Sequence, residues 1–278
     1  MNIFEAIVLG LAQGLSEFLP ISSSGHLALL SYFFGIDGES ALLFAVMLHV
    51  GTLISVCAVY RKDVIALILE LFALIKDLFT GRGLGINANP TRKLGFLIIA
   101  ATIPTGLAGI FFRNLFTAMY SLLESVGAGF IATGVILIIA ERAGRNNKDL
   151  SELGFPGAFF VGACQGVAIW PGLSRSGTTI FGSLISGLSR EGAVKFAFLI
   201  SIPAILGSAV LEAPGALSAG LAGAAWAPVF IGMAVAAVSG FIAIKTMIKV
   251  VSMKRLYYFS IYTWGLGALT LIYALFLS

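Results

Sequence analysis

Long apolar stretches recur along the chain, and six of them are long enough to cross a bilayer as helices. A transmembrane helix needs about 20 mainly apolar residues. Basic residues gather at alternate connections between the stretches. Placing Lys and Arg on the cytoplasmic side therefore gives one consistent path, with both termini outside. The predicted spans cover about residues 41–60, 94–112, 118–140, 193–212, 226–247 and 257–277.

The segment 64–91 is also rich in apolar residues, but the charge pattern leaves no room for it as a further span. Asp63, Glu70 and Asp77 recur every seven residues, which places their carboxylates on one face of a helix. Residues 63–79 are therefore predicted to form an amphipathic helix that lies along the membrane interface, followed by a loop at 81–85.

Two further apolar regions, 1–34 and 156–189, are interrupted near their middle by Pro20 and by Pro171-Gly172. Each is predicted to form a re-entrant hairpin, with one half-helix entering the membrane and the other returning. Loop backbone cannot face hydrocarbon, because its polar groups would have no partner there. Both loops are therefore expected to be buried in protein or to line a wet cavity.

The two broken regions are copies of each other. Residues 13–26 (QGLSEFLPISSSGH) align without a gap on residues 165–178 (QGVAIWPGLSRSGT). Because the predicted topology runs corresponding spans in opposite directions, the repeat is inverted, and the loop tips should meet near the midplane. The fold expected is an all-α integral membrane protein with six transmembrane helices and two re-entrant hairpins. It forms a single membrane domain, 1–278, with repeats at about 1–140 and 153–278.

Composition agrees with a lipid environment. Of the 278 residues, 59% are hydrophobic and 11% are charged, whereas a soluble domain carries about 25% charged residues. The net charge of +4 fits basic cytoplasmic loops, so no nucleic-acid partner is expected. No removable signal peptide is expected. Cys57 and Cys164 lie in apolar stretches, which favours packing over a disulfide or a metal cluster.

Each broken region carries Ser-x-Ser-Gly where its second half-helix should begin. Serine hydroxyls cap free N–H groups at a helix N-terminus, which itself carries about half a positive charge. Two such N-termini facing one point make an anion site. Arg175 adds a planar cation suited to phosphate oxygens. The predicted substrate-binding residues are Gln13, Ser22, Ser24, Gly25, Ser174, Ser176, Gly177 and Thr178.

The two copies differ in their reactive groups, and this asymmetry favours chemistry. The first copy carries Glu17, Ser23 and His26, and the second carries Arg175. Together, these side chains supply the functional groups that phosphoryl transfer requires. Arg175 would clamp the phosphate, while Ser23 or a water molecule attacks. His26 and Glu17 would move protons or hold a divalent metal.

Structural roles compete with these interpretations. Hydroxyls in membrane helices often bond only to carbonyl groups or neighbouring helices, and this alternative stays open for Ser22 and Ser24. His49 lies in the middle of a predicted span, where an interhelical contact is favoured over chemistry. Glu141 and Glu212 lie at span ends and are expected at the membrane interface.

Three motifs resemble those of the bacterial undecaprenyl-diphosphate phosphatases, also called bacitracin-resistance proteins. They are the element from Gln13 to Glu17, PISSSGH at 20–26 and PGLSRSGTT at 171–179. The resemblance covers essentially the whole chain. It implies a multi-pass enzyme of the bacterial cytoplasmic membrane with a site open to the outer side. The enzyme would convert undecaprenyl diphosphate to undecaprenyl phosphate for reuse in cell-wall synthesis.

The resemblance also implies site residues and a cofactor. Glu17 matches the family's second acidic position, Ser23 and His26 match its first loop, and Arg175 matches its second loop. The implied cofactor is a divalent cation, Mg²⁺ or Ca²⁺, held by Glu17 with Gln13 as a second candidate ligand. Some members have Glu at position 13, and Gln there cannot balance a cation's charge.

A transporter or flippase of an anionic lipid or small anion is the alternative from another class, because inverted repeats are common among transporters. The expected partners are a polyprenyl diphosphate lipid and the surrounding membrane lipid. The oligomeric state stays open, a homodimer included. So does the choice between Ser23 and water as the nucleophile.

Overall fold

The computed structural model describes residues 2–36, 39–143, 147–220 and 226–276, which form helices and contain no β-strand. A short 3₁₀ helix, Leu150–Glu152, precedes α8. The twelve α-helices of this described part are α1 Ile3–Phe18, α2 Ser23–Phe34, α3 Glu39–Val59, α4 Arg61–Phe79, α5 Pro90–Phe111, α6 Arg113–Tyr120, α7 Leu123–Ala143, α8 Phe155–Val167, α9 Arg175–Ile185, α10 Arg190–Gly220, α11 Trp226–Ser252 and α12 Tyr257–Phe276.

Within the described residues, five helices are long and apolar enough to cross a bilayer, namely α5, α7, α10, α11 and α12. The sixth candidate is α3 taken together with α4, a pair that bends by 91° at the break between them. This bend turns α4 across the direction of α3. The described residues are therefore those of an all-helical, multi-pass membrane protein with five or six apolar spans. Two parts of the predicted topology lie outside the described residues. They are residue 277, the end of the last predicted span, and residues 221–225, between the fourth and fifth predicted spans.

The predicted start of the third span at residue 118 is wrong. Residues Arg113–Tyr120 form the separate helix α6, and the spanning helix α7 begins only at Leu123. The polar residues Arg113 and Asn114 make α6 amphipathic, so it does not continue the apolar span. Glu124 in the first turn of α7 suits the positive end of that helix.

The three carboxylates spaced along α4 bind basic residues of neighbouring helices. Glu70 and Asp77 both pair with Arg92 of α5, and the Asp77 contact measures 2.8 Å. Asp63 pairs with Lys195 of α10 at 2.6 Å. The sequence pattern placed these carboxylates on one face of a helix. In the structure, their ion pairs join α4 to α5 and α10.

His49 and Glu141 each make polar contacts in the described residues. His49 donates Nδ1–H to the carbonyl oxygen of Ala45 at 2.8 Å, a hydrogen bond within α3. The interhelical role of His49 stays a prediction. Glu141, at the end of α7, accepts from the backbone N–H of Leu256 at 2.6 Å and pairs with Arg190 at 3.1 Å.

Both broken regions form a helix, an irregular break and a second helix. The first breaks after Phe18, and α2 begins at Ser23. The second breaks after Val167, and α9 begins at Arg175. Gly172 in the second break has φ of +85°, a conformation that a residue without a side chain adopts easily.

Small residues let the first half-helix of each broken region approach a long helix closely. A Cβ added at Gly14 of α1 would lie 2.5 Å from the carbonyl oxygen of Ala236 in α11. A Cβ added at Gly162 of α8 would lie 2.0 Å from the carbonyl oxygen of Ala101 in α5. Such small-residue contacts are a usual means of packing helices in membranes. In addition, α3 packs against α10 and α7 packs against α12.

The end of α1 is fixed by the core. Phe18 is buried and meets Phe198 of α10 edge to face, with ring centroids 5.4 Å apart. Since Glu17 precedes Phe18 directly, the core also fixes where the Glu17 carboxylate points.

Candidate active site

The two breaks touch each other inside the bundle. The hydroxyl of Ser176 donates to the carbonyl oxygen of Leu19 at 3.3 Å, and the N–H of Gly172 donates to Ser24 Oγ at 3.3 Å. Gly25 lies so close that an added Cβ would be 3.0 Å from Gly172 Cα. The structure thus brings the predicted loops into direct contact.

The second helix of each region begins with the same serine cap. Ser22 Oγ accepts from the N–H of Gly25 at 3.2 Å, and Ser174 Oγ accepts from the N–H of Gly177 at 3.1 Å. Each cap satisfies one donor that a helix start leaves free. The positive ends of α2 and α9 therefore both lie at the junction of the two loops.

Ser22 differs from Ser174 in its backbone. Its φ is +68°, whereas that of Ser174 is −77°. A residue with a side chain adopts such a positive φ at a cost of about 1–3 kcal/mol, which the surrounding structure must offset. The carbonyl oxygen of Ser22 accepts from Nδ1–H of His26 at 2.7 Å. The unusual turn thus accompanies a hydrogen bond to a predicted reactive side chain.

Glu17 is the centre of the polar contacts in the site. Its buried carboxylate forms an ion pair with Arg175 through Oε1. Its other oxygen, Oε2, accepts from Gln13 Nε2 at 2.9 Å and from the hydroxyl of Ser23 at 2.6 Å. Four of the residues that the sequence predicted are thereby joined, and the hydrogen-bond partner of Ser23 is the Glu17 carboxylate.

His26 is held on three sides. Besides the bond from Nδ1–H to Ser22, its Nε2 lies 2.7 Å from the hydroxyl of Tyr262 in α12. The rings of His26 and Tyr262 are parallel within 4°, with centroids 5.7 Å apart, and Phe130 meets the imidazole edge to face at 5.3 Å. Sequence reasoning missed Tyr262, because nothing in the repeat or the loop motifs points to the helix that carries it.

The remaining predicted hydroxyls bond mainly to the loops themselves. Ser22 and Ser24 lie 3.1 Å apart through their Oγ atoms, and Ser174 and Ser176 lie 3.2 Å apart. Thr178 donates to the carbonyl oxygen of Ser174 at 3.0 Å. These bonds give the serines and the threonine a part in building the loops, which is the structural alternative that the sequence left open.

Thr133 of α7 supports the second loop and was also missed. Its hydroxyl donates to the carbonyl oxygen of Gly172 at 3.0 Å and accepts from the N–H of Ser174 at 2.9 Å. Only the fold brings α7 against this loop, so no local signal in the sequence could have identified it.

The donors in the site fit a divalent ion that arrives with phosphate. Within the described residues, no three His, Cys, Asp or Glu side chains group together as metal ligands. Glu17 supplies one carboxylate, and Gln13 Oε1 is buried with no hydrogen-bond partner in the part of the chain that the structure describes. Mg²⁺ is commonly held by one or two carboxylates together with substrate phosphate oxygens. The two oxygen donors agree with that kind of binding.

The fold and the site define a class: an integral membrane protein whose two broken helical regions meet at a polar cluster that contains the Glu17–Arg175 ion pair. Comparison with known proteins then gives the family. The family model described as bacitracin resistance protein BacA matches residues 6–269. The chain therefore belongs to this family.

Relatives agree over nearly the full length. A protein of Alkaliphilus metalliredigens, named undecaprenyl-diphosphatase, is 45% identical over 99% of this chain and 100% of its own. Proteins of the same name from Carboxydothermus hydrogenoformans and Halothermothrix orenii are 43% and 39% identical. The matches cover 98% and 99% of this chain and 97% and 99% of theirs, respectively.

Proposed function

We propose that this protein hydrolyses undecaprenyl diphosphate to undecaprenyl phosphate and inorganic phosphate. The proposal rests on the contacts of the Glu17 carboxylate. It pairs with Arg175, at the start of α9, and accepts a hydrogen bond from Ser23, at the start of α2. The name that the relatives share supports the same substrate. The product serves again as the lipid carrier of cell-wall precursors, and the activity confers resistance to bacitracin.

Binding of the diphosphate begins with charge. The positive ends of α2 and α9 and the guanidinium of Arg175 attract the terminal phosphate. The Arg175 side chain is 23% exposed, whereas that of Glu17 is 3% exposed, so the guanidinium is the more accessible partner. Arg175 then turns toward the phosphate oxygens, which it binds in a bidentate manner.

This exchange of partners prepares the nucleophile. In the resting site Arg175 pairs with Oε1 of Glu17, while Oε2 accepts from the hydroxyl of Ser23 at 2.6 Å. When Arg175 moves to the phosphate, the Glu17 carboxylate is left beside Ser23 to take the proton of its hydroxyl. The bound diphosphate thereby helps to activate the residue that attacks it.

The reaction then proceeds in two displacements. Ser23 Oγ forms a bond to the terminal phosphorus while Glu17 takes its proton, and the bond to the bridging oxygen breaks so that undecaprenyl phosphate leaves. A water molecule attacks the phosphoserine, releases inorganic phosphate, and the proton returns to Ser23. His26 takes the proton of the attacking water at Nε2 and returns it to an oxygen of the released phosphate. In the alternative of direct attack by water, the same groups act without the phosphoserine.

A divalent ion, Mg²⁺ or Ca²⁺, would be held by Glu17, Gln13 Oε1 and the diphosphate oxygens. It would supply positive charge that neutralises the phosphates as the bond breaks. The protein's own contribution is the fixed position of Glu17 beside Ser23 and the cation of Arg175.

The finer topology is part of the proposal. Six spans and two re-entrant hairpins form an inverted repeat of about 1–140 and 153–278 in the cytoplasmic membrane, with the site open to the outer side. The pairing of α1 with α11 and of α8 with α5 supports it, because these pairs correspond under the repeat. So does the packing of α3 on α10 and of α7 on α12, since each pair joins equivalent helices.

Phosphate release from undecaprenyl diphosphate in detergent tests the function, since no gradient exists there. We expect release by the wild-type protein, loss with a chelator and recovery with Mg²⁺ or Ca²⁺. The control is Arg175→Ala, in which release should be lost. If the wild-type protein releases no phosphate in detergent but moves the lipid across liposomes, the transporter alternative replaces this proposal.

A further inference from the structure

We propose that Tyr262 is a positioning residue that acts through His26. The inference rests on the proposed role of His26 in proton transfer, and it adds a group from α12 to a site otherwise built by the two loops. Tyr262 Oη lies 2.7 Å from His26 Nε2, and the two rings stack parallel.

The hydrogen bonds fix which nitrogen of His26 carries the proton. The carbonyl oxygen of Ser22 can only accept, so Nδ1 of His26, 2.7 Å away, must carry the hydrogen. In the neutral imidazole Nε2 is then bare and accepts from the hydroxyl of Tyr262. Ser22 therefore sets the tautomer, and Tyr262 holds the nitrogen that exchanges protons.

A phenol suits both charge states of the imidazole. A tyrosine hydroxyl donates to a bare nitrogen and, after rotation, accepts from a protonated one. In the resting site Tyr262 donates to bare Nε2, the attacking water takes its place during proton transfer, and Tyr262 Oη then accepts from Nε2–H. Phe130, edge to face against the imidazole, limits rotation of the ring from the other side.

The hydrogen bond between Tyr262 and His26 joins parts of the chain that are far apart in sequence. α12 packs on α7, which carries Phe130, while His26 belongs to α2. The orientation of His26 therefore depends on the last helix of the chain as well as on its own loop. No other described contact of the imidazole nitrogens comes from α12.

The test is a double-mutant cycle on steady-state release of phosphate from undecaprenyl diphosphate. Tyr262→Phe keeps the stacked ring and removes only the hydroxyl. We expect kcat to fall by about 10-fold, the change that follows from one lost hydrogen bond of roughly 1.4 kcal/mol, with KM within twofold of wild type. In a His26→Ala background the same substitution should cause no further loss, because residues that act as a unit are not additive.

Tyr273→Phe is the matched control. Tyr273 also lies on α12. Its hydroxyl is 3.4 Å from the hydroxyl of Tyr32, which belongs to α2 and not to either break. Its kcat should stay near that of wild type. Wild-type kcat in Tyr262→Phe, or an equal loss in both backgrounds, would overturn the inference.

A second measurement is independent of turnover. The chain contains two histidines, so protein labelled with ¹⁵N-histidine gives few imidazole signals to assign. Tyr262→Phe should move the Nε2 resonance of His26 and leave those of His49 unchanged. An unmoved His26 signal would refute the contact. A moved signal in a protein that releases no phosphate would instead refute the proposed function and leave the contact standing.

Discussion

Arg175, in the first turn of α9, forms an ion pair with Glu17, in the last turn of α1. Each residue comes from a different copy of the broken region, so neither copy holds a complete site. Removing one partner of a buried pair leaves an uncompensated charge, which lowers the free energy of unfolding by about 3–5 kcal/mol. The pair therefore joins the two broken regions to each other.

The first prediction concerns the shape of the cation. Arg175→Lys keeps the positive charge but loses the planar fork that binds two phosphate oxygens at once. We expect kcat for phosphate release to fall by about 10²-fold or more, the scale for loss of one preorganised donor. Steady-state kinetics on purified, monodisperse protein measures it. An unchanged kcat with a raised KM would reduce Arg175 to a docking residue.

A second prediction separates the two positions of the acidic element. Glu17→Gln removes the carboxylate that bonds Ser23 and pairs with Arg175, so turnover should be lost and the cation requirement should shift. Gln13→Glu removes the hydrogen bond from Gln13 Nε2 to Glu17, but it should be tolerated because some members of the family have Glu at this position. Phosphate release is titrated with Mg²⁺ for each variant. Full activity of Glu17→Gln at the wild-type Mg²⁺ concentration would remove Glu17 from the metal site.

The nucleophile can be tested by comparing adjacent serines. Ser23→Ala removes the hydroxyl that donates to Glu17, and only residual turnover should remain. Ser22→Ala removes the cap of α2, which costs about 1 kcal/mol of stability, and it should lose less activity. Acid quenching with substrate labelled in the terminal phosphate should trap labelled wild-type protein. Near-normal turnover in Ser23→Ala would make water the nucleophile.

The sequence predicted the two breaks and the contact between their loops, because the responsible signals are local. Pro20 and Pro171-Gly172 mark the breaks, and the internal repeat indicates that the loops carrying Ser23 and Arg175 meet. It could not predict that Tyr262 reaches His26. Which face α12 turns to the loop depends on how helices distant in the chain pack, and that packing leaves no trace in a local pattern.

The same reason explains the charges on α4. Their seven-residue spacing predicted one polar face, but their partners Arg92 and Lys195 lie on other helices. The separate helix α6 was missed because only Ser121 and Leu122 separate it from the apolar helix α7. Average hydrophobicity does not detect a short break of this kind.

Topology provides another prediction. With Cys57 and Cys164 replaced, a single cysteine at Ser121 should react with an impermeant reagent added from outside. Cysteines at Gly83 and Asn147 should react only after the membrane is opened. All three positions are exposed, so a lack of reaction reports the membrane side and not burial. Outside labelling at Asn147 would contradict the inverted repeat.

The last prediction tests the close contact that places the second loop. In Gly162→Ala the new Cβ would lie 2.0 Å from the carbonyl oxygen of Ala101, a backbone atom that cannot turn aside. α8 must then move away from α5, and overpacking of this kind costs about 1–3 kcal/mol. The matched control is Gly106→Ala in α5, where an added Cβ meets nothing within 4 Å and alanine favours the helix. Thermal unfolding in detergent should show a lower midpoint for Gly162→Ala only. Equal midpoints would mean that α8 and α5 are not packed as closely as the structure has them.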